Sequence, residues 1–129
     1  MSEPEWVEKS TLLLLVNDSL SEHGGAPGLR DEGLLDSALA RPINRHGYEG
    51  ETDIAALAAC YGFGIAKNHP FIDGNKRAAL IALGLFLKLN GFNLRAPQID
   101  TFQTILKLAA GSLEEVELAD WLSAHIVPR

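Results

Sequence analysis

Residues 54–89, IAALAACYGFGIAKNHPFIDGNKRAALIALGLFLKL, decide the fold. Two strongly apolar runs flank a short stretch holding Pro70 and Gly74. Asp53 stands immediately before the first run, placed to cap a helix that reaches about Asn68. That run is apolar nearly all round, the mark of a central buried helix. Gly62 and Gly64 inside it weaken the helix but permit close packing. The second run predicts a helix from about Gly74 to Leu89, ended by Asn90-Gly91. Residues 69–73 then form a loop joining the two most buried helices, and function concentrates in loops held by a rigid scaffold.

Toward the N-terminus, Ser2-Glu3-Pro4-Glu5 has the pattern of a capping box with proline in the first turn. Trp6, Leu13, Val16 and Leu20 follow at roughly helical spacing, and Gly24-Gly25 stops that helix. GGAPGLR reads as a loop. Asp31 can cap a second helix carrying Leu34, Leu35, Ala38 and Leu39, which should end before Pro42 because the residue preceding a proline is pushed out of the helical region. Residues 41–52, RPINRHGYEGET, have turn residues and no helical period, which predicts a loop or short hairpin. Beyond Gly91, FNLRAP reads as extended. A fifth helix covers about Gln98 to Ala110 and stops at Gly111. Ser112-Leu113-Glu114-Glu115 is a second capping-box pattern, opening a last helix with Val116, Leu118, Trp121, Leu122 and Ile126. No strand alternation lasts long enough to build a sheet. The expected class is all-α, one domain over residues 1–129, with two central apolar helices wrapped by amphipathic ones.

The chain has 129 residues, of which 47% are hydrophobic, enough to bury a single core. No window stays apolar for eighteen residues, and the acidic start SEPEW is unlike a signal peptide, so the chain reads as cytosolic with no membrane partner. Cys60 is the single cysteine, which excludes a disulfide framework and a cysteine zinc cluster; its apolar surroundings predict a small buried residue. The formal net charge of -6 argues against direct nucleic-acid binding, which needs a basic face. The charge is unevenly spread, however. Between Ile54 and Ile99 the sole acidic residue is Asp73, beside Lys67, Lys76, Arg77, Lys88 and Arg95.

Lys76 and Arg77 fall in the first turn of the predicted fourth helix. The positive end of a helix dipole disfavours cations there by up to about 1 kcal/mol. Two readings meet this. Asp73 caps the helix and both long side chains reach solvent; or the helix-start N–H groups, Lys76 and Arg77 together hold a phosphate. A histidine such as His69 is more often structural than catalytic when alone, but beside an anion site it can act as general base on a hydroxyl. Asp73 can cap or bind a metal; with His69 it supplies too few ligands for zinc, whereas Mg²⁺ is held by one carboxylate plus substrate phosphates. Phe71 and Ile72 are expected to point into the core and fix the loop. The Walker-type phosphate loop is absent. His23, His46 and His125 have no comparable company and are assigned no role.

The nine residues His69-Pro70-Phe71-Ile72-Asp73-Gly74-Asn75-Lys76-Arg77 resemble the signature of the Fic/Doc family in its Doc (death-on-curing) form. HGGAPGLRDEGLLDSALARP at 23–42, FLKLNG at 86–91 and the ending AAGSLEEVELADWL resemble the same family, so the likeness covers nearly the whole chain. It implies a compact six-helix fold with the active-site loop between the two central helices, and transfer of part of ATP to a protein hydroxyl. Carried over by position, it makes His69 the general base and gives Asp73 the Mg²⁺. The helix-start amides with Gly74, Asn75, Lys76 and Arg77 become the phosphate site, and Phe71 the loop anchor. Residues 41–52 fall where Fic proteins carry a flap that aligns the target segment.

Two departures from the Fic pattern bear on the reaction. Fic enzymes that transfer AMP typically carry glycine where this chain has Lys76, and a second arginine where it has Leu80. Lys76 should fill the room the glycine leaves. The resemblance to Doc then implies that ATP binds reversed, presenting its γ-phosphate, and that the protein is a kinase acting on a threonine of elongation factor Tu. The inhibitory glutamate of many Fic proteins pairs with the arginine missing at Leu80. Restraint is therefore expected from a separate, Phd-like antitoxin whose flexible segment folds on binding, in a bacterial cytoplasm and on a plasmid- or phage-borne module. The alternatives are AMP transfer on the same fold and a catalytically silent antitoxin-binding module.

Overall fold

In the computed structural model, which describes residues 3–129, the chain order is α1 (Lys9–His23), α2 (Glu32–Glu49), α3 (Ile54–Asn68), α4 (Asn75–Leu89), β1 (Phe92–Leu94), α5 (Gln98–Ala109), α6 (Glu115–His125) and β2 (Ile126–Pro128). The class is all-α, as expected, with six helices and one two-stranded sheet among the described residues. Helix α3 is the hub and packs against α4, α2, α6 and α5. Its residues Leu57, Ala58, Ala59, Cys60, Tyr61 and Ile65 are fully buried, which is why its sequence shows almost no polar face. Small residues let neighbours come close. A methyl added at Gly64 would sit 3.4 Å from the Ala38 side chain of α2, and one at Gly62 would meet Leu83 of α4 at 2.8 Å. No helix among the described residues is long and apolar enough to cross a membrane.

Caps fall where short polar side chains predict them. Asp31 accepts from Leu34 N at 3.0 Å and Asp53 from Ala56 N at 3.1 Å, each satisfying one of the unpaired donors of a first turn. The expected start of the first helix is corrected. Ser2 lies outside the described residues, and residues 3–8 are not helical; α1 begins at Lys9. Tertiary partners compete with the helix there: Glu5 N donates to Asn90 Oδ1 at 2.8 Å and Val7 N to the Tyr61 hydroxyl at 3.1 Å.

The second helix does not stop before Pro42. It continues to Glu49, so the loop or hairpin expected over 41–52 is helical for most of its length and leaves 50–53 as the connection. Pro42 itself is buried. The extension is held from outside: Arg41 and Arg45, four residues apart on one face, both pair with Glu115 at the start of α6, Arg45 at 2.8 Å. Arg45 also reaches Glu51 at 3.2 Å, tying down the chain just past the helix. The last helix is corrected at both ends. Its capping box is Glu114 with Glu117, two residues beyond the Ser112 pattern, and Ile126 leaves the helix to pair with Leu94.

Two buried acidic groups make the core sensitive to alkali. Burial pushes the Cys60 thiol up to about 11 and the Tyr61 hydroxyl up to about 12. Both groups stay protonated in the fold over a range where the unfolded chain loses the proton. The unfolded state therefore binds fewer protons, and stability falls as pH rises. The chain should lose resistance to urea progressively from about pH 9, and Cys60→Ala should blunt the first part of that loss. A flat denaturation midpoint between pH 8 and about pH 11 contradicts the burial of both groups.

Candidate active site

The loop between α3 and α4 is built on a backbone that proteins seldom adopt without cause. His69 follows the last helical residue with φ 51 and ψ 55, the one non-glycine residue at positive φ among those described. Its N–H closes the helix on Ile65 O at 3.1 Å. Pro70 and Phe71 are buried, Phe71 at 2% exposure. Phe71 forms an antiparallel bridge with Leu29, and Ile72 N donates to Gly28 O at 3.1 Å. Extended chain turns successive side chains to opposite sides. Phe71 thus points into the core, whereas Ile72, expected inside as well, is 57% exposed.

Asn75, the first residue of α4, is buried, and its side chain faces back into the loop. Its Oδ1 accepts from Phe71 N at 2.9 Å and its Nδ2 donates to Phe71 O at 2.9 Å, which fixes the orientation of the carboxamide. The second Nδ2 proton faces Nδ1 of His69 at 3.3 Å. In a neutral imidazole this contact makes Nδ1 the acceptor and leaves the hydrogen on Nε2. The Asn75 side chain is thereby committed to shaping the loop, and its backbone N–H is the part left to meet an anion.

Asp73 precedes the helix without capping it. Its Oδ1 accepts from Gly74 N at 2.8 Å and its Oδ2 from Ala26 N at 3.2 Å. Gly74 takes the N-cap position in the left-handed region at φ 77, and a methyl there would meet Leu20 of α1 at 2.9 Å. Each Asp73 oxygen keeps a lone pair beyond its N–H partner. No group of three His, Cys, Asp or Glu side chains among the described residues could hold a metal unaided. Asp73 therefore fits the Mg²⁺ mode in which one carboxylate is joined by substrate oxygens and water.

The N–H groups of Asn75, Lys76 and Arg77 precede the first hydrogen bond of α4, from Ala78 N to Gly74 O at 2.8 Å, and have no intrahelical acceptor. Lys76 is exposed and Arg77 half-buried, and neither meets a carboxylate within 4.0 Å among the described residues. Among the described residues the one polar contact of the Arg77 guanidinium is Ser19 O at 3.4 Å. Two cations with no carboxylate partner among the described residues thus stand in the first turn of α4, at the positive end of its dipole, where an anion would be favoured.

His69, Asp73, Gly74, Asn75, Lys76 and Arg77 all line one cleft of about 750 Å³. Its apolar lining comes from Leu20 of α1, Leu80 of α4 and Phe102, Ile105 and Leu106 of α5. Sequence reasoning missed that α5 contributes to this lining; the helical spacing of Phe102, Ile105 and Leu106 was the available signal. A second cleft, about 630 Å³, surrounds the Arg41–Arg45–Glu115 cluster, and no motif residue reaches it. The other histidines stay apart from the loop: His23 and His125 contact carbonyls of their own helices, and His46 packs edge-on to Trp6.

A model of the Fic/DOC family matches residues 6–87, which run from before α1 into the last turn of α4 and include the whole motif. The chain is 36% identical over 85 residues to "Protein kinase doc" of Escherichia phage P1, covering 66% of this chain and 68% of that protein. It is 42% identical over 74 residues to "Toxin Doc" of Mycolicibacterium smegmatis, covering 57% of each. With the family model matching well over half of its length, and its signature loop held between the two central helices, the chain belongs to the Fic/Doc family.

Proposed function

We propose that this protein is the toxin of a toxin–antitoxin pair and a kinase that moves the γ-phosphate of ATP onto a threonine hydroxyl of a translation factor, with elongation factor Tu as the expected target. The observation that carries the reading is that Lys76 and Arg77, without a carboxylate partner among the described residues, share the first turn of α4 with its free N–H groups and the same cleft with His69. Similarity to a relative named as a protein kinase supports the same direction.

In this reading the threonine oxygen forms the new bond to the γ-phosphorus while the bond to the β–γ bridging oxygen breaks, and ADP leaves. The hydroxyl proton passes to His69. The N–H groups of Asn75, Lys76 and Arg77, with the two side-chain cations, meet the charge that grows on the phosphate oxygens. Positioning and charge stabilisation are most of what such a reaction needs. Asp73 would hold Mg²⁺, which neutralises phosphate charge when bound. The apolar side chains of α5 that line the cleft would offer contact to the nucleotide's ring. The Asn75 contact bears on the base step. The lone pair of the neutral ring is on Nδ1, so proton uptake at Nε2 requires the hydrogen to move to Nδ1 and the contact with Asn75 to open. At 3.3 Å that contact is at the weak end of hydrogen bonding.

Restraint belongs to a partner in this reading. Ile99, Phe102 and Leu106 form an exposed apolar row on α5 beside the cleft. An antitoxin segment that is disordered when free and folds along this row would cover the catalytic loop.

Lys76 selects the phosphate. It sits in the first turn of α4 and lines the cleft, at a position where a glycine would leave room for the end of a triphosphate bound the other way. The test uses purified elongation factor Tu and ATP labelled at either the α or the γ phosphorus. Label from the γ position alone is expected with the wild type. Lys76→Gly should lose most of that transfer and gain at most weak α-label transfer, because Leu80 leaves no second arginine. Label from the α position with the wild type would replace the kinase with an AMP-transferase.

A further inference from the structure

The loop 24–31, which leads into α2, lies beside the catalytic loop and is hydrogen-bonded to it through Ala26, Gly28, Arg30 and Asp31. Arg30 N and Asp31 N both donate to Pro70 O, at 2.7 and 3.1 Å. Ile72 N donates to Gly28 O, and Ala26 N to the Asp73 carboxylate. The Arg30 guanidinium adds a second kind of contact. Its Nε donates to His69 O at 2.7 Å and its Nη2 to Asn68 O at 2.9 Å. One planar fork thus spans the last carbonyl of α3 and the carbonyl of the residue beyond it. Carbonyls at a helix C-terminus are unpaired and carry the negative end of the dipole, so a guanidinium is the fitting donor.

We propose that Arg30, which lies outside the motif, is a positioning residue for His69, holding its backbone in the left-handed conformation that aims the imidazole into the cleft. Among the described residues, no other strong contact of His69 fixes that conformation. Its N–H continues the helix, which many conformations of the residue itself allow, and its ring meets Asn75 at 3.3 Å alone. A bulky residue at positive φ persists where its surroundings over-determine it. The fork on its carbonyl and on the preceding carbonyl supplies that constraint. A lysine could reach one of the two carbonyls as a point donor but could not bridge both in a plane.

The inference rests on His69 acting as the base proposed above, and the test separates the two. Full-length wild type, Arg30→Lys and Arg30→Met are compared in three measurements. The first is thermal unfolding; the second is kcat and KM for γ-phosphate transfer; the third is the imidazole NMR signals of His69 against those of His23, His46 and His125. Both variants should unfold cooperatively. Arg30→Met should lose roughly 10- to 100-fold in kcat with KM for ATP within about twofold, the scale of a catalytic group misplaced by about an ångström. Arg30→Lys should fall between. The His69 ring signals alone should shift or broaden. If Arg30→Met does not fold, Arg30→Lys decides by the same readouts. Wild-type His69 signals in the variants overturn the proposal, whether or not the rate falls, since Arg30 would then act by another route. A wild type that transfers no phosphate overturns the kinase reading, and the NMR comparison still decides what Arg30 does to His69.

Discussion

His69→Ala should lower phosphate transfer by about 10²- to 10⁴-fold, the usual cost of removing a general base, while leaving the protein folded. The structural work of this residue is done by its backbone. The N–H bonds to Ile65 O and the carbonyl accepts from Arg30, and alanine keeps both. The ring is exposed and gives up one long contact to Asn75. Alanine is no better suited than histidine to φ 51, so His69→Asn is the stricter variant: asparagine tolerates the left-handed region yet cannot take a proton. Both variants should melt within a few degrees of the wild type and be inactive. Wild-type turnover in a cooperatively folded His69→Asn protein would remove the base from the mechanism. In a bacterial host, induction of the wild type should arrest growth and induction of either variant should not.

The parts of the site legible in the sequence are those fixed by local chemistry. Asp31 and Asp53 are short carboxylates before apolar runs, and each caps the helix it precedes. Pro70 and Gly74 bracket the loop because neither suits a helix interior, and Phe71 is the large apolar side chain within it. The parts that were illegible are fixed by residues far away in the chain. Residues 41–49 read as a loop because their helical face has no apolar stripe. What holds them is a pair of arginines on Glu115, some seventy positions on. The start of α1 is displaced for the same kind of reason, since Glu5 and Val7 spend their N–H groups on Asn90 and Tyr61. Ile126 sits at helical spacing after Leu122, but Leu94 offers it a strand partner.

The site divides along the same line. His69, Asp73, Lys76 and Arg77 are adjacent in sequence, and their company is visible without a structure. Arg30 is invisible as a site residue because its function is expressed through main-chain carbonyls, which have no sequence signature. Asn75 is visible but ambiguous: a polar residue at a helix start beside two cations reads naturally as a phosphate ligand. Only its burial and its pair of bonds to Phe71 give it a different duty.

That duty sets the last expectation, a contrast between two neighbours. Asn75→Ala should destabilise the protein by about 2–4 kcal/mol, because it strips partners from both the N–H and the carbonyl of buried Phe71, each costing about 1–3 kcal/mol when left unmade. Asn75→Asp keeps an acceptor for Phe71 N but turns a carboxylate oxygen toward Phe71 O, so it should be destabilised as well. It also replaces the donor facing Nδ1 of His69 with an acceptor, which favours the hydrogen on Nδ1. Lys76→Ala, one residue along, removes an exposed side chain with no ion-pair partner among the described residues and should change stability by under about 0.5 kcal/mol. Urea denaturation of the three variants without nucleotide reads the contrast directly. Equal stability for Asn75→Ala and Lys76→Ala would mean that the loop holds its shape without the carboxamide. A large loss in the first with none in the second separates the residue that shapes the loop from the one left to meet the phosphate. In that case any loss of transfer in Asn75→Ala has to be read through the displaced loop, whereas in Lys76→Ala it reports on the phosphate itself.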